Sequence, residues 1–233
     1  MKSLPNKIKN LNYINSLVKI PKYHYFNFKS FFKNKDKIIL DIQKKFKNKI
    51  IVRSASFNED NDTSNAGKFL SIPNINLDDY KKIESSIDMV FKSYGKNQKK
   101  HYVLVQEYIQ NAEKVGVIFT ADPRNGSPFR TVNFNNSNHT ELITSGKSNG
   151  QIIYYFKYAS KSKLPKKVQY IETLIKKLET KFPKIFLDIE FLILKKSIYV
   201  LQVRKLNIKK NPVIDFKKSL NDLAKKITKM TTE

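Results

Sequence analysis

The sequence of 233 residues contains no cysteine, and this absence excludes several classes of chemistry. A chain without thiols forms no disulfide bond, offers no thiolate to a metal and has no cysteine nucleophile. No apolar run approaches the roughly 18 residues that a membrane-spanning helix needs. The basic N-terminus also lacks the continuous apolar segment of a signal peptide. We therefore expect a cytoplasmic protein that has no membrane partner.

Arginine is scarce, because it supplies only four of the 45 basic residues, although the formal net charge is +25. A large positive charge is typical of proteins that bind nucleic acid or anionic membranes. The lysines are scattered, however, and no aromatic platform motif accompanies them, so we favour compositional drift over a nucleic-acid partner. In such a chain we expect each arginine to lie where lysine would not serve, for example at a bidentate phosphate contact.

The fold class follows from the order of the predicted elements. Apolar spacing predicts helices at residues 27–46, 77–91, 164–182 and 212–230. The last is amphipathic, and we expect it to pack on this chain; the alternative is packing with a helix of a partner. Strands are predicted at residues 49–54, 101–109, 114–120, 130–134, 151–158 and, as a hairpin, 187–206. Strands and helices do not alternate strictly, which favours an α+β fold over a doubly wound sheet.

The stretch DIEFLILKKSIYVLQVRKL predicts a hairpin whose open end carries four polar groups. Side chains alternate between faces, so a three-residue turn at 195–197 would place Glu190 opposite Gln202 and Asp188 opposite Arg204. Carboxylate and carboxamide oxygens suit Mg²⁺, and an arginine can bind phosphate through two hydrogen bonds. The alternative is a solvated hairpin end with a surface ion pair. The other face is predicted to be core and consists of Leu187, Ile189, Phe191, Ile193, Tyr199, Leu201 and Val203.

A second polar segment, VRSASFNEDNDTSNAGKF, predicts a strand that runs into a loop of small residues. Small residues allow backbone N–H groups to approach an anion, so Arg53, Ser54 and Gly67 are candidate phosphate-binding residues. The alternative is an ordinary flexible loop. The strand VLVQEYI ends at Gln106 and Glu107, near a possible hinge of the kind that contacts adenine through backbone groups.

The polar segments described above, and the order in which they follow one another in the chain, resemble the ATP-binding domain of phosphoenolpyruvate synthase and pyruvate phosphate dikinase. That domain has the ATP-grasp fold. The likeness covers roughly residues 7–206. KIKNLNYI and IPKYHYF follow the family's N-terminal pattern, and RSASFNED with NAGKF follows its phosphate loop. VGVIFTADPRNG is similar to its Gly-Val-x-Phe-Thr-x-Asp-Pro segment. The hairpin matches its Asp-Ile-Glu-Trp and Leu-Gln-x-Arg-Pro patterns.

The resemblance implies ATP and Mg²⁺ as cofactors, with the metal held by Glu190 and Gln202. It implies that Arg53 and Arg204 are catalytic residues that neutralise charge on the transferred phosphoryl group. Lys7 takes the position of the ATP lysine, and Lys9 is the alternative. The complete set of predicted nucleotide-binding residues is Lys7, Arg53, Ser54, Gly67, Gln106, Glu107, Glu141 and Arg204.

Two departures from the family pattern affect these expectations. The usual Gly-Leu-Gly-Glu reads Asn138-His139-Thr140-Glu141, so the glutamate is present and the glycines are not. This change would weaken closure over the nucleotide. The usual final proline is Lys205.

The resemblance also suggests how the chain would act. The family's phosphoryl acceptor is a histidine on a separate swivelling domain, but His24, His101 and His139 lie in no stretch like its phosphohistidine motif. We expect all three to be surface or loop histidines. We therefore expect an ATP-dependent phosphotransferase whose acceptor, a histidine or a small molecule, comes from another polypeptide. A non-catalytic ATP sensor or scaffold and a basic nucleic-acid-binding protein are the alternatives.

The predicted organisation has two ATP-grasp lobes with the nucleotide cleft between them. Residues 1–110 would form the lobe with the phosphate loop, and residues 111–208 the lobe with the hairpin. Residues 209–233 would form the C-terminal amphipathic helix.

Overall fold

A computed structural model describes residues 4–57, 70–135 and 150–208. The α-helices in these ranges are α1 (Asn6–Ile14), α2 (Phe28–Lys33), α3 (Lys35–Lys45), α4 (Tyr80–Lys92) and α5 (Lys166–Lys181). The strands are β1 (Tyr23–Asn27), β2 (Ile50–Ala55), β3 (Ser71–Ile75), β4 (Tyr102–Glu107), β5 (Lys114–Phe119), β6 (Phe129–Asn135), β7 (Gln151–Phe156), β8 (Leu187–Leu194) and β9 (Ser197–Lys205). Short 3₁₀ helices lie at Gly95–Lys100 and Lys161–Lys163. The α+β prediction is confirmed.

The first sheet is antiparallel and has the strand order β1-β4-β2-β3. Its two faces differ because side chains alternate along each strand. Val52 of β2 lies opposite Val105 of β4, and both belong to the main apolar core. The next position on β2 is Arg53, which lies opposite Leu104 and therefore points to the other face.

The main core fills the space between this sheet and two helices. It contains Ile39 and Ile42 of α3, and Ile87 and Phe91 of α4, each of which is almost completely buried. Spacing of three and four residues puts these side chains on one face of each helix, as the sequence predicts. The core holds β2 and β4 together, and on their other face Arg53 lies among mostly apolar side chains.

The first predicted helix, residues 27–46, is wrong as a single element. Asn34 has φ −137° and ψ 43°, which separates α2 from α3. Asparagine side chains compete with the helical backbone for hydrogen bonds, and this makes such an interruption inexpensive. The predicted helices at 77–91 and 164–182 correspond to α4 and α5, each shorter at its N-terminal end.

Strands β1 and β3 have no counterpart in the sequence prediction. Strand β1 reads YHYFN, a short run of the aromatic residues that strands favour. Strand β3 contains Pro73 and Asn74, with φ 61° at Asn74. Proline lacks the N–H that a central strand needs, but β3 lies at the edge of its sheet, where this loss is tolerated.

The second sheet has the strand order β7-β6-β5-β8-β9, and β8 and β9 form the predicted hairpin. The predicted three-residue loop is wrong, because Ser197 already belongs to β9. Lys195 and Lys196 form the loop, with φ values of 47° and 62°. Two successive positive φ values are what a two-residue type I′ turn requires. Lysine adopts this conformation reluctantly, which explains why the sequence carries no signal for the turn.

The predicted core face of β9 is also wrong near the turn. Tyr199 and Leu201 were assigned to the same face as the odd-numbered residues of β8. Instead, Leu201 lies in an apolar cluster with Leu192, and both Tyr199 and Leu194 pack against that cluster. These contacts are those expected of a two-residue turn, which pairs residue 194 with residue 197.

The hairpin changes register toward its open end. Strand β8 has eight residues and β9 has nine. Beyond them, the backbone N–H of Leu206 donates to the carbonyl of Phe186 at 2.8 Å, a pairing one residue out of step with the turn. One extra residue in β9, a β-bulge, accounts for the difference. The bulge restores the predicted juxtaposition of Glu190 and Gln202 by a different route.

The chain divides into two compact units. Among the described residues, the first comprises 4–57, 70–117, 134–135, 150–151 and 189–204, and the second comprises 118–133, 152–188 and 205–208. The predicted lobe boundaries at residues 110 and 208 stay predictions. The C-terminal helix predicted at 212–230 lies outside the described residues. None of the described helices is both long enough and apolar enough to cross a membrane.

Candidate functional site

Three polar side chains of the first unit meet around the guanidinium of a fourth residue. Arg53 on β2 donates from Nη2 to Oε2 of Glu190 on β8 at 2.8 Å. It also makes two longer hydrogen bonds, from Nη1 to Oε1 of Gln106 on β4 at 3.3 Å and from Nη2 to Oε1 of Gln202 on β9 at 3.4 Å. We call Arg53, Gln106, Glu190 and Gln202 the Arg53 cluster. Three oxygens from three strands therefore surround one cation.

The pairing of β2 with β4 explains how two members of the Arg53 cluster come together. Arg53 lies opposite Leu104 and Ile51 lies opposite Gln106, so Arg53 and Gln106 project from the same face. Gln106 is also linked to the hairpin, because its Nε2 donates to the carbonyl of Leu201 at 3.4 Å. With only 1% of its surface exposed, Gln106 is held between β2 and β9.

Helix α1 brings a second cation to the cluster. Lys7 Nζ donates to the backbone carbonyl of Ser54 at 2.9 Å, next to Arg53 in the chain. Three residues along α1, Asn10 Nδ2 donates to the carbonyl of Val203 at 2.7 Å. Residues three apart share a helix face, so these two bonds fix α1 between β2 and β9. Lys9, the alternative ATP lysine, is exposed.

The electrostatics of the cluster favour a charged Glu190. Burial alone would raise the pKa of its carboxyl group, but the charge and hydrogen bond of Arg53 outweigh that effect. The charges of Lys7 and Arg204 add to it, and the pKa of Glu190 is lower than its ordinary value. Three cationic groups therefore act on one carboxylate, an arrangement that attracts anions to the site.

Glu107, predicted to bind the nucleotide, points away from the cluster. Neighbouring side chains on a strand lie on opposite faces, and Glu107 accepts from Asn48 Nδ2 at 3.1 Å. Its backbone N–H donates to the carbonyl of Lys22 at 2.9 Å within the sheet. Gln106 and Glu107, predicted together as a hinge pair, thus lie in different surroundings.

Two of the remaining predicted site residues lie within the described ranges, and two lie outside them. Ser54 is buried, and Arg204 on β9 is half-buried at a position whose charge reaches Glu190. Gly67 and Glu141 lie outside the described residues. The structure therefore gathers Lys7, Arg53, Gln106, Glu190, Gln202 and Arg204 in one region of the first unit.

The donor set of the Arg53 cluster fits a hard divalent cation. Glu190 supplies a carboxylate, and Gln106 and Gln202 supply carboxamide oxygens, the ligand types that Mg²⁺ takes at about 2.0–2.1 Å. The guanidinium of Arg53 now stands where these oxygens converge and acts as a stand-in cation. Within the described ranges, no three His, Asp or Glu side chains are grouped so that they could hold a metal ion. A metal at Glu190 and Gln202 would therefore complete its shell with water and phosphate oxygens.

Two other arginines bind carboxylates in the second unit. Arg130 is buried and donates to Glu172 and Glu179 of α5. Arg124 forms a fork on Asp122, with Nη2 2.6 Å from Oδ2, and these hydrogen bonds hold the pKa of Asp122 below its usual range. Lysine could not make such forked contacts, but the partners are carboxylates and not phosphates.

One of the predicted surface or loop histidines is buried. His101 precedes β4 with 4% of its surface exposed, and its Nδ1 lies 3.3 Å from Ser56 Oγ. The backbone N–H of Phe57 also donates to this nitrogen. His24 is half-buried on β1, and burial lowers its pKa. His139 lies outside the described residues.

Comparison with solved structures identifies the fold. D-alanine–D-alanine ligase from Helicobacter pylori aligns with a TM-score of 0.53 and 19% identity over 94% of this chain and 60% of that one. L-amino acid ligase from Bacillus licheniformis aligns with a TM-score of 0.50 and 13% identity over 88% of this chain and 41% of that one. PH1788 from Pyrococcus horikoshii aligns with a TM-score of 0.55 and 11% identity over 86% and 89% of the two chains.

These likenesses show that the chain has the ATP-grasp fold, as predicted. The chain spans about 60% of the length of the Helicobacter ligase. No protein-family model and no curated protein matches the sequence.

Proposed function

We propose that this chain binds Mg·ATP at the Arg53 cluster and transfers a phosphoryl group to an acceptor carried by another cytoplasmic polypeptide. The observation that carries the proposal is the convergence of one carboxylate and two carboxamide oxygens with three cationic groups. Carboxylate and carboxamide oxygens suit Mg²⁺, and clustered cationic side chains attract a polyanion such as a nucleotide phosphate.

Each residue has a definable task in this proposal. Arg53 and Arg204 contact phosphate oxygens and neutralise the charge that develops during transfer. Lys7 orients the phosphates from its fixed place beside Ser54. Glu190 and Gln202 would hold Mg²⁺, which would act as a Lewis acid and stabilise negative charge on the phosphoryl group. Gln106 keeps the Arg53 side chain in position from β4.

The acceptor is proposed to be a histidine of another chain, as in the phosphoenolpyruvate synthase and pyruvate phosphate dikinase family that the motifs resemble. Membership of that family stays a prediction. The described histidines support an external acceptor, because His101 is buried against Ser56 and His24 belongs to a strand at the edge of the first sheet.

ATP-dependent ligation is a second candidate. Two of the aligned structures are ligases by name, one for D-alanine and one for L-amino acids. A carboxylate acceptor would take the phosphoryl group from ATP and become an acyl phosphate. An amine could then attack the acyl carbon and release phosphate. The two candidates share nucleotide binding and phosphoryl transfer, and they differ in the acceptor atom.

Calorimetry with a non-hydrolysable ATP analogue and Mg²⁺ tests the shared step on the full chain. Glu190→Ala should remove the dependence of binding on Mg²⁺, and Arg204→Ala should weaken nucleotide affinity about tenfold, because one charge-assisted hydrogen bond is lost. Glu113→Ala is the matched control, since Glu113 is an exposed carboxylate of the same unit. Unchanged binding in both site variants would refute the site.

The acceptor is identified by the chemistry of the trapped phosphate. Radiolabelled ATP is incubated with the chain and with histidine-domain proteins of the same organism, and label that is stable to base but labile to acid indicates phosphohistidine. Formation of a hydroxamate from added carboxylic acids and hydroxylamine indicates an acyl phosphate and therefore ligation. Tight binding without either product would favour the sensor or scaffold alternative.

A further inference from the structure

The contacts of Arg53 have a consequence for the order in which ligands bind. The residues proposed to hold the metal, Glu190 and Gln202, both accept hydrogen bonds from Arg53 Nη2. The same guanidinium is proposed to bind phosphate. One guanidinium therefore contacts both proposed metal ligands and is also proposed to contact the nucleotide.

We propose that Arg53 makes metal binding conditional on an oligophosphate. Without nucleotide, its guanidinium neutralises Glu190 and covers the oxygens that a divalent cation needs. The arrival of phosphate gives Arg53 a competing anionic partner, and the side chain turns from Glu190 to the phosphate oxygens. The carboxylate of Glu190 and the carboxamide oxygen of Gln202 are then released to the metal. This inference rests on the proposed function and adds a binding order to it.

The burial of the cluster supports a discrete exchange of partners. The side chains of Arg53 and Glu190 are only 11% and 12% exposed, so water cannot readily replace a lost partner. A buried charge that loses its partner is strongly destabilised, which disfavours states in which Arg53 or Glu190 stands alone. Metal entry without phosphate would create such a state, because the cation would displace Arg53 from Glu190. Phosphate entry would not create such a state, because the phosphate gives Arg53 a new anionic partner before Arg53 leaves Glu190.

The hydrogen bonds of the Arg53 guanidinium hold it in place but do not use all of its N–H donors. Arg53 Nε has no hydrogen-bond partner among the described residues, and the contacts with Gln106 and Gln202 are long at 3.3 and 3.4 Å. Only the bond to Glu190 has the short distance of a charge-assisted pair. Arg53 therefore keeps donor capacity for an incoming anion and has one strong bond to exchange.

The experiment measures Mn²⁺ binding by electron paramagnetic resonance on the full chain, with and without a non-hydrolysable ATP analogue. The wild-type protein should bind Mn²⁺ at least 100-fold more weakly without the analogue than with it. Arg53→Gln should bind Mn²⁺ alone at least tenfold more tightly than the wild type does, because Glu190 and Gln202 are no longer covered. Its affinity for the analogue should fall. The control is Arg124→Gln, which removes a carboxylate-bound arginine of the second unit and should change neither value.

Two further variants keep the test decisive. Arg53→Lys retains the charge but lacks the planar fork of the guanidinium, so its metal-alone affinity should lie between those of the wild type and Arg53→Gln. In the double variant Arg53→Gln, Glu190→Gln the gained Mn²⁺ binding should disappear. Tight Mn²⁺ binding to the wild type without analogue would overturn the inference while leaving nucleotide binding intact. Failure of the analogue to bind with or without metal would overturn the proposed function, and the binding order with it.

Discussion

Replacing Glu190 by glutamine should destabilise the ligand-free protein and at the same time improve its affinity for metal-free nucleotide. The glutamine keeps the shape and one acceptor oxygen for Arg53 but removes the negative charge. Arg53, Lys7 and Arg204, which all lower the pKa of Glu190, would then lack this counter-charge. Stability and anion affinity should therefore change in opposite directions.

The structure sets the size of the effect. Opposite charges about 4 Å apart interact by about 4 kcal/mol at an effective dielectric constant of about 20. Arg53 and Glu190 are close enough for this value, and both are nearly buried. The retained hydrogen bond offsets part of the loss, so we expect the free energy of unfolding to fall by about 3 kcal/mol, the lower end of values for breaking a buried pair. Release of Arg53 from Glu190 should strengthen binding of metal-free ATP analogue at least tenfold, equivalent to about 1.4 kcal/mol.

Urea denaturation at pH 7 measures the first quantity, and calorimetry in the presence of a chelator measures the second. With a slope of about 2 kcal/mol per molar urea, the midpoint should fall by about 1.5 M with the slope unchanged. Glu113→Gln removes an exposed carboxylate of the same unit and should shift the midpoint by less than about 0.5 M. The reasoning is refuted if Glu190→Gln behaves like this control, or if its affinity for metal-free analogue does not rise.

Three further predictions concern the stability of the two units. Glu172→Gln should lower the free energy of unfolding by about 3 kcal/mol in urea, because buried Arg130 loses one of its two carboxylates. Asp122→Asn should be destabilising at pH 7, and the difference from the wild type should shrink in urea titrations below about pH 4. Arg124 depresses the pKa of this carboxyl, so its stabilisation exists above the unfolded-state pKa and is lost as the pH falls through the folded-state value. Phe91→Ala should cost about 3–5 kcal/mol by leaving a cavity in the main core, measured by the same method.

In the hairpin, the sequence predicts which side chains lie together but not the length of the loop. Alternation of apolar and polar residues predicts that Glu190 and Gln202 project together, and both contact Arg53 in the structure. The prediction reached this pairing through a three-residue loop, whereas the chain uses a two-residue loop and an extra residue in β9. Alternation fixes which side chains must share a face, but it does not say where along the strand a bulge absorbs the mismatch.

The role of Gln106 could not be predicted, because it depends on contacts between distant segments. Its position at the end of an apolar strand suggested a hinge, and the neighbouring Glu107 was grouped with it. The structure separates them because adjacent strand residues face opposite sides. Gln106 then contacts β2 and β9, which lie 53 and 95 residues away in the chain. Amphipathic helices, by contrast, follow from local periodicity, which explains why the sequence predicts α4 and α5 well.

The scarcity of arginine indicates positions at which lysine would not serve. It does not distinguish an arginine that stabilises the fold from one that binds a ligand. Arg130 and Arg53 are both buried, and both bind carboxylates. Arg130 contacts two of them, Glu172 and Glu179, so its charge is fully matched. Arg53 contacts one carboxylate and two neutral carboxamides, and two further cations act on that same carboxylate. Arg130 is thus shared by two carboxylates, whereas Arg53 faces a carboxylate and two carboxamide oxygens. Because such a mixed set of oxygens suits Mg²⁺, it supports the proposal that the Arg53 cluster binds Mg·ATP.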